Sequence, residues 1–301
     1  MSTPSEVTSA SILGSLAGGM GSAQRLPRSP FAGPLRAVIF DWAGTTVDFG
    51  SRAPVTALIR LFEGRGIVLS EAQARSAMGQ HKRDHIRAMC QLEDIAAAFQ
   101  VSQGRPWNEG DIDALYAALL PLTLEAARTT SRLIPGIAEL SQALRQRGLR
   151  IGSTTGYNAE MMAEIAPLAA AQGYAPDCIV TVSDVPAGRP APWMCFRSAE
   201  RLGVYPPAAC VKVGDTPADI AEGRNAGMWT IALAGCGNEV GLSESALSAL
   251  PAGERAERVA AARARLQAHH PDYIVDAPTV EAILPCLDDI AERLSRGEYP
   301  A

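Results

Sequence analysis

The sequence predicts an α/β protein with a doubly wound parallel sheet and an inserted all-α cap domain. From about residue 132 onwards, short β-rich runs alternate with helical patterns, and one more such run, residues 35–40, stands alone near the start. Residues 53 to 128 show helical periodicity and contain no strand-like run. Strands separated by helices pair in parallel. We therefore expect a core domain of residues 34–50 and 132–301, with residues 51–131 inserted as a helical cap.

The individual elements follow from local patterns. Each predicted strand is a short run rich in β-branched and apolar residues, as in strands that are buried on both faces of a sheet. The helices carry an apolar stripe, and the first helix after the insert is stopped by Gly148. The predicted strands are residues 35–40, 149–154, 178–181, 210–214, 228–233 and 273–275, and the predicted helices are residues 137–147, 158–171, 193–202, 217–226 and a C-terminal helix.

Composition excludes several classes of function. The 301-residue chain has a formal net charge of −5, which gives no electrostatic support for nucleic-acid binding. No apolar run approaches the roughly 18–20 residues of a membrane span. Six scattered cysteines without a C-x-x-C pair indicate a reducing, cytoplasmic setting. Residues 1–33 are rich in Ser, Ala, Gly and Pro, and we expect a flexible tail there rather than a signal peptide.

Lysine is unusually scarce. Of the 27 basic Lys and Arg residues only Lys82 and Lys212 are lysines, so arginine meets the general need for surface charge. An amine can form an imine with a carbonyl compound, which a guanidinium cannot. Lys82 is therefore a candidate nucleophile, with an ordinary surface lysine as the alternative. Lys212 lies within a predicted strand, where a structural role is expected.

Polar residues follow the predicted strands at one edge of the sheet. Asp41 ends the first strand, Thr155 and Gly156 follow the second, and Asp215 follows the fourth, four residues before Asp219. The carboxyl ends of parallel strands form the ligand-binding edge of such sheets. This pattern suits a carboxylate nucleophile, a phosphate-binding loop and a Mg²⁺ site in which Asp215 is a ligand and Asp219 a helper outside the coordination shell. Arg189, in the loop Gly188-Arg189-Pro190, could bind phosphate in bidentate fashion.

The order of these motifs resembles the haloacid dehalogenase-like superfamily, which implies a Rossmann-like core. The usual Asp-x-Asp there is Asp41-Trp42-Ala43 here, so the residue that normally protonates an oxygen leaving group is missing. Four segments together resemble the phosphonoacetaldehyde hydrolase family of that superfamily, over roughly residues 35 to 300. They are Asp41–Asp48, Met78-Gly79-x-x-Lys82-x-Asp84-His85, Gly152–Tyr157 and Val185–Met194.

The resemblance implies a mechanism in which Ala43 is tolerated. An imine between Lys82 and the substrate aldehyde would accept the electrons of the broken C–P bond, while Asp41 would attack phosphorus and become an aspartyl phosphate. Mg²⁺ would be held by Asp41, the Ala43 carbonyl and Asp215. The substrate, an intermediate in the degradation of 2-aminoethylphosphonate, would be contacted by Thr155, Gly156, Arg189, Met78 and Tyr157. From the residues alone, Met78 could equally be an ordinary core residue and Tyr157 could equally pack at the start of a helix. The resemblance also implies a homodimer that packs through the cap.

Lys82 must lose its proton before it can attack, although an ordinary lysine titrates near ~10.4. We expect burial, the nearby metal and Arg83 to lower its pKa. His85 lies one helical turn from Lys82 and could shuttle protons, or it could be an ordinary core histidine. Relatives in the family carry Cys where this chain has Ser51, which leaves a thiol-dependent step at that position in doubt.

Two other functions stay open. One is a generic Mg²⁺-dependent phosphatase or phosphomutase of the same superfamily, against which the Ala43 substitution argues. The other is a non-catalytic binding protein, against which the presence of both Asp41 and Asp215 argues.

Overall fold

The computed structural model describes residues 31–300, so the predicted tail lies almost wholly outside the described residues. Its centre is one six-stranded parallel sheet in the order β3-β2-β1-β4-β5-β6. The strands are β1 (Ala37–Phe40), β2 (Arg150–Thr155), β3 (Cys178–Thr181), β4 (Cys210–Gly214), β5 (Trp229–Leu233) and β6 (Tyr273–Val275). This sheet confirms the predicted α/β class.

Helices follow the strands along the chain. They are α1 (Arg52–Glu63), α2 (Glu71–Arg75), α3 (Lys82–Cys90), α4 (Glu93–Gln103), α5 (Glu109–Thr130), α6 (Ile137–Gln146), α7 (Ala159–Ala170), α8 (Trp193–Leu202), α9 (Pro217–Asn225), α10 (Glu244–Ala249), α11 (Ala252–Gln267) and α12 (Val280–Ser295). Among the described residues, none of these helices is both long and apolar enough to cross a membrane.

The strand order brings the ends of β1, β2 and β4 together. β1 lies in the middle of the sheet, with Phe40 in register with Ser153 of β2 and Val213 of β4. Every residue of β1 and β4 is buried, which explains why both read as apolar runs. Chain order reverses on either side of β1, and this reversal opens a crevice at the carboxyl edge. Asp41, Thr155 and Asp215 therefore converge there, as the sequence predicted.

The core around β1 depends on one aromatic cluster. Trp42 is fully buried, its indole Nε1 donates to Ser153 Oγ at 2.8 Å, and its ring meets Tyr174 edge-on with centroids 5.5 Å apart. A buried indole needs such an acceptor. The bond fixes the loop after β1 against the end of β2, so that the neighbouring Asp41 is held in place.

Helices α1 to α5 form a helical insert between β1 and β2, and the described residues 51–131 contain no strand. The insert has its own apolar cluster, built around Leu58, Phe62, Ile86, Phe99 and Leu115. The two chain segments that join the insert to the sheet lie side by side, because Asp48 N donates to the Arg132 carbonyl at 3.1 Å.

The structure adds helices that the sequence reading did not assign. α11 is rich in Ala, Arg and Glu, and only Ala262 and Leu266 of its sixteen residues are buried. It therefore lacks a wide apolar stripe, which is the main signal for a helix that packs on a sheet.

Candidate active site

A cavity lies between the carboxyl edge of the sheet and the helical insert. Both sides contribute residues that the sequence singled out. The sheet edge supplies Asp41, Ala43, Thr155, Gly156, Tyr157, Arg189 and Thr216. The insert, together with Ser51 directly before it, supplies Pro54, Met78, Gly79, Gln80 and Lys82. The predicted nucleophile and the predicted imine-forming lysine therefore face one cavity.

Three buried carboxyl groups meet beside this cavity. Oxygens of Asp41, Asp215 and Asp219 lie within 4.8 Å of one another. Asp215 is held from two sides, since Oδ1 accepts from Thr45 Oγ1 and Oδ2 accepts from the Asn238 backbone N–H, each at 2.7 Å. Oxygen ligands fixed at this spacing fit one divalent cation.

Local sequence explains why Asp219 points inwards. Thr216 caps α9 and Pro217 takes its first helical position, where no N–H donor is needed. Asp219 N donates to Thr216 Oγ1 at 3.3 Å and Thr216 N donates to Asp219 Oδ2 at 3.2 Å, which is a capping box, and Thr216 Oγ1 also donates to Asp219 Oδ2 at 2.6 Å. The capping box fixes the carboxylate on the cavity side of the helix start.

Arg189 connects the acidic residues. Its guanidinium forms ion pairs with Asp41 at 2.7 Å, Asp219 at 3.1 Å and Glu222 at 2.8 Å. It also donates to the Thr154 carbonyl at 3.0 Å. Arg189 is 5% exposed. A planar guanidinium with five donors can satisfy several acceptors at once, which an ammonium cannot do in the same plane.

The carboxylates outnumber the cations around them. Four buried carboxyl groups (Asp41, Asp215, Asp219 and Glu222) are accompanied by two buried cations in ion-pair contact, Arg189 and Lys212. Burial and the charge of Asp41 raise the pKa of Asp215 well above its ordinary value, and burial with the charge of Asp219 raises the pKa of Asp41. Burial acts in the same direction on Asp219, yet Arg189 and Lys212 hold its pKa below the ordinary value. The excess negative charge at Asp41 and Asp215 is what a divalent cation would neutralise.

The two lysines occupy opposite electrostatic environments. Lys212 Nζ lies 2.9 Å from Asp219 and 3.4 Å from Glu222, and these carboxylates raise its pKa although burial lowers it. Lys82 is equally buried but forms no ion pair with any carboxylate in residues 31–300. Its Nζ lies 3.5 Å from Met78 Sδ and 5.9 Å from the centre of the Tyr157 ring. Burial lowers the pKa of Lys82 to about 8, although the charge of Asp41 raises it, and the Arg189 charge adds a smaller lowering.

Arg83 does not have the effect that we expected from the sequence. It pairs with Glu109 at 2.8 Å and Asp113 at 2.6 Å, away from the cavity. Adjacent residues of a helix point about 100° apart, so Arg83 cannot share the inward face of Lys82. The cation that acts on Lys82 is Arg189.

His85 is buried beside Lys82 but does not line the cavity. Neither ring nitrogen makes a hydrogen bond of standard geometry within the described residues. Burial, together with the charge of Lys82, lowers its pKa to about 3. His85 is therefore neutral at ordinary pH, and burial opposes the proton uptake that a shuttle requires.

Sequence reasoning missed Glu222 and Asn238, which hold the charged groups of the site. Glu222 sits in the middle of α9, where a glutamate usually faces solvent, yet it is fully buried against Arg189 and Lys212. Asn238 lies in the loop after β5 and reaches Asp215 only through its backbone. The one sequence signal for Glu222 is the adjacent Gly223, at which a Cβ would lie 2.8 Å from Lys212 Cβ.

Comparison with known proteins decides the family. Residues 35–227 match the haloacid dehalogenase-like hydrolases, and residues 186–277 match a second family of haloacid dehalogenase-like type. The phosphonoacetaldehyde hydrolase of Bordetella pertussis is 46% identical over 88% of this chain and 96% of its own length. That of Nitratidesulfovibrio vulgaris is 42% identical over 90% and 96%. A crystal structure of a phosphonoacetaldehyde hydrolase-like protein from Oleispira antarctica superposes with a TM-score of 0.87, at 40% identity over 89% of this chain and 97% of that one.

This chain belongs to the phosphonoacetaldehyde hydrolase family. It is a hydrolase of the haloacid dehalogenase-like superfamily, with the core fold that the strand order indicated. This chain departs from the superfamily pattern at Ala43, which stands in place of a second aspartate. That departure is therefore to be explained by the chemistry of this family.

A glycine pair tests whether the position of Asp215 controls metal binding. Gly44 (φ +91°) and Gly104 (φ +72°) both adopt the left-handed region, so alanine is strained at either position. A Cβ at Gly44 would lie 2.2 Å from Asp215 Oδ2, whereas a Cβ at Gly104 would meet nothing within 4 Å. Gly44→Ala should weaken Mg²⁺ binding, measured by calorimetric titration, about 10- to 100-fold. Gly104→Ala should leave it unchanged, and equal affinities in the two variants would contradict this assignment.

Proposed function

We propose that this enzyme hydrolyses the C–P bond of phosphonoacetaldehyde to acetaldehyde and phosphate, as in 2-aminoethylphosphonate degradation. The observation that carries the proposal is a buried lysine that forms no ion pair with a carboxylate of residues 31–300 and lies in the same cavity as a buried aspartate at a strand end. Lys82 and Asp41 supply an amine and a carboxylate to one small substrate. The names of the relatives at 42–46% identity support the same substrate.

The first step uses Lys82. Its neutral amine attacks the aldehyde carbon, and loss of water from the carbinolamine gives a protonated imine. The pKa of about 8 makes the neutral amine available near physiological pH. His85, neutral and one helical turn away, is our candidate for carrying the protons of this dehydration.

The second step uses Asp41. A carboxylate oxygen of Asp41 attacks phosphorus, and the C–P bond electrons move into the imine to give an enamine and an aspartyl phosphate. Without the imine the leaving group would be an unstabilised carbanion, which explains why the chain has no acid at Ala43. Protonation of the enamine carbon and hydrolysis of the imine release acetaldehyde, and water releases phosphate from Asp41.

Mg²⁺ fits the site because its preferred ligands are carboxylate and carbonyl oxygens. We propose Asp41, Asp215 and the Ala43 carbonyl as its ligands, with Asp219 holding Arg189 and Lys212 beside them. The ion would reduce the repulsion between the Asp41 carboxylate and the phosphonate. Arg189, Thr155 and Gly156 would bind the phosphonate oxygens, while Met78, Tyr157 and Ser51 would surround the imine. We further propose that residues 51–131 act as a cap that closes over the core, and that two chains pair through it.

A product assay tests this function against its nearest alternative. Purified enzyme with Mg²⁺ should release phosphate and acetaldehyde in equal amounts from phosphonoacetaldehyde, and chelation with EDTA should stop the reaction. A generic phosphatase would instead turn over p-nitrophenyl phosphate at a comparable rate. Equal activity on both compounds would favour that second function, and no activity on either would favour a binding protein.

Imine trapping tests the role of Lys82 separately from that of Asp41. Borohydride added with acetaldehyde should inactivate the enzyme irreversibly, and mass mapping should locate the adduct at Lys82. Lys82→Arg keeps the charge but should be inactive and unlabelled, because guanidinium does not form the adduct. Asp41→Asn should lose turnover by several orders of magnitude and still be labelled at Lys82. A label at Lys212 or the N-terminal amine alone would refute the imine mechanism.

The activity should also depend on the ionisation of Lys82. Burial lowers the pKa of this amine to about 8, and only the neutral form attacks the aldehyde. kcat/KM should therefore fall about tenfold per pH unit below pH 8 and level off above it. If the activity instead fell below a pH near the ordinary lysine pKa of ~10.4, the site would not lower the pKa of Lys82.

A further inference from the structure

Outside the cavity, Arg75 is one of the residues that join the helical insert to the core, and Arg52 Nη1 also donates to the Gly241 carbonyl at 3.3 Å. Arg75 is the last residue of α2, and its side chain is 13% exposed. Its Nη1 donates to the Gly50 carbonyl at 2.9 Å and to Asn238 Oδ1 at 3.1 Å, and its Nη2 donates to the Gly241 carbonyl at 3.0 Å. The only carboxylate with which it pairs in residues 31–300 is the half-exposed Glu71 at 3.7 Å. The guanidinium is therefore satisfied mainly by neutral acceptors outside its own helix.

The loop that receives Arg75 also touches Asp215. This loop, residues 235–242, follows β5. Its Asn238 N–H donates to Asp215 Oδ2 at 2.7 Å, and a Cβ at Gly237 would lie 2.2 Å from Asp215 Cβ. Asn238 thus contacts an insert residue through its side chain and Asp215 through its backbone. A shift of this loop would alter the hydrogen bond that orients the Asp215 carboxylate.

The loop of residues 235–242 also forms a hydrogen bond with the chain segment that joins β1 to the insert. Gly50 N donates to the Cys236 carbonyl at 2.7 Å, while the Gly50 carbonyl accepts from Arg75. One guanidinium, that of Arg75 in α2, therefore contacts both the segment that joins β1 to the insert and the loop after β5. A guanidinium is suited to this position because its donors lie in one rigid plane and can bind two carbonyls at fixed directions.

We propose that Arg75 is a positioning residue that couples closure of the helical insert to the orientation of Asp215. The inference rests on the proposed function, in which Asp215 binds Mg²⁺ and the insert acts as a cap. When the insert is closed, Arg75 holds the loop of residues 235–242, and the Asn238 N–H fixes one oxygen of Asp215. When the insert moves away, the loop loses the guanidinium and Asp215 loses part of its support.

The test compares Mg²⁺ affinity between variants by calorimetric titration without substrate. Arg75→Gln removes the charge and the planar fork, and Arg75→Lys keeps the charge alone. Both should weaken Mg²⁺ binding about 10- to 100-fold, the range found when groups that orient metal ligands are removed. Arg60→Gln is the matched control, because Arg60 lies on the insert in an exposed pair with Glu125 and should bind Mg²⁺ like the wild type.

The outcomes separate this inference from a structural role and from the proposed function. Borohydride labelling of Lys82 should persist in Arg75→Gln, which shows that the variant is folded and that the effect is confined to the metal side. If Arg75→Gln lowers the Tm but binds Mg²⁺ with the wild-type affinity, the coupling is overturned. If Arg75→Gln does not fold, the same comparison is made with Arg75→Lys. Failure of the wild type to cleave phosphonoacetaldehyde would refute the proposed function, while the comparison with Arg60→Gln would still decide the coupling. Absence of Mg²⁺ binding in the wild type would overturn both.

Discussion

The site depends on the buried guanidinium of Arg189. It pairs with Asp41 after β1 and with Asp219 and Glu222 in α9, and it reaches the backbone of β2 at Thr154. Removing one partner of a buried ion pair typically costs about 3–5 kcal/mol, since it leaves an uncompensated charge behind. Arg189 thus allows several carboxylates to lie close together at the sheet edge. The charge that it leaves unbalanced is what makes the cluster suitable for a divalent cation.

The same network distinguishes the two lysines. Lys212 belongs to it, and Asp219 and Glu222 keep Lys212 protonated in a place where burial alone would favour the neutral amine. Lys82 stands outside it, with a thioether and an aromatic ring as neighbours, and the charge of Asp41 offsets only part of the effect of burial on its pKa. One lysine is therefore a fixed charge, and the other is the one that we propose as the nucleophile. Lysine scarcity, noticed in the sequence, is consistent with this division of roles.

Much of the fold and part of the site could be predicted from the sequence. Apolar runs gave the strands, and parallel pairing then required Asp41, Thr155 and Asp215 to meet at one edge. Glu222 could not be found in this way, because the only signal in the short pattern of α9 is Gly223, and its close approach to Lys212 is visible only in the structure. Asn238 acts through its backbone, which leaves no trace in residue type. The expected effect of Arg83 was wrong because sequence proximity to Lys82 does not imply a shared helix face.

Other expectations stay predictions. The boundaries of a cap at residues 51–131, the pairing of two chains and the individual catalytic roles concern motion, assembly and reactivity. The contact of Arg75 with the loop after β5 shows that the insert and the loop that holds Asp215 are physically connected.

The most direct test of this account is a titration of both lysines by NMR. With only two lysines in the chain, protein labelled with ¹³C at lysine Cε gives two side-chain signals, and Lys82→Arg assigns them. The account predicts that the Lys82 signal titrates near pH 8 while the Lys212 signal stays that of a protonated amine to above the ordinary lysine value. Two signals that titrate together near ~10.4, or a low pKa at Lys212 instead of Lys82, would contradict it.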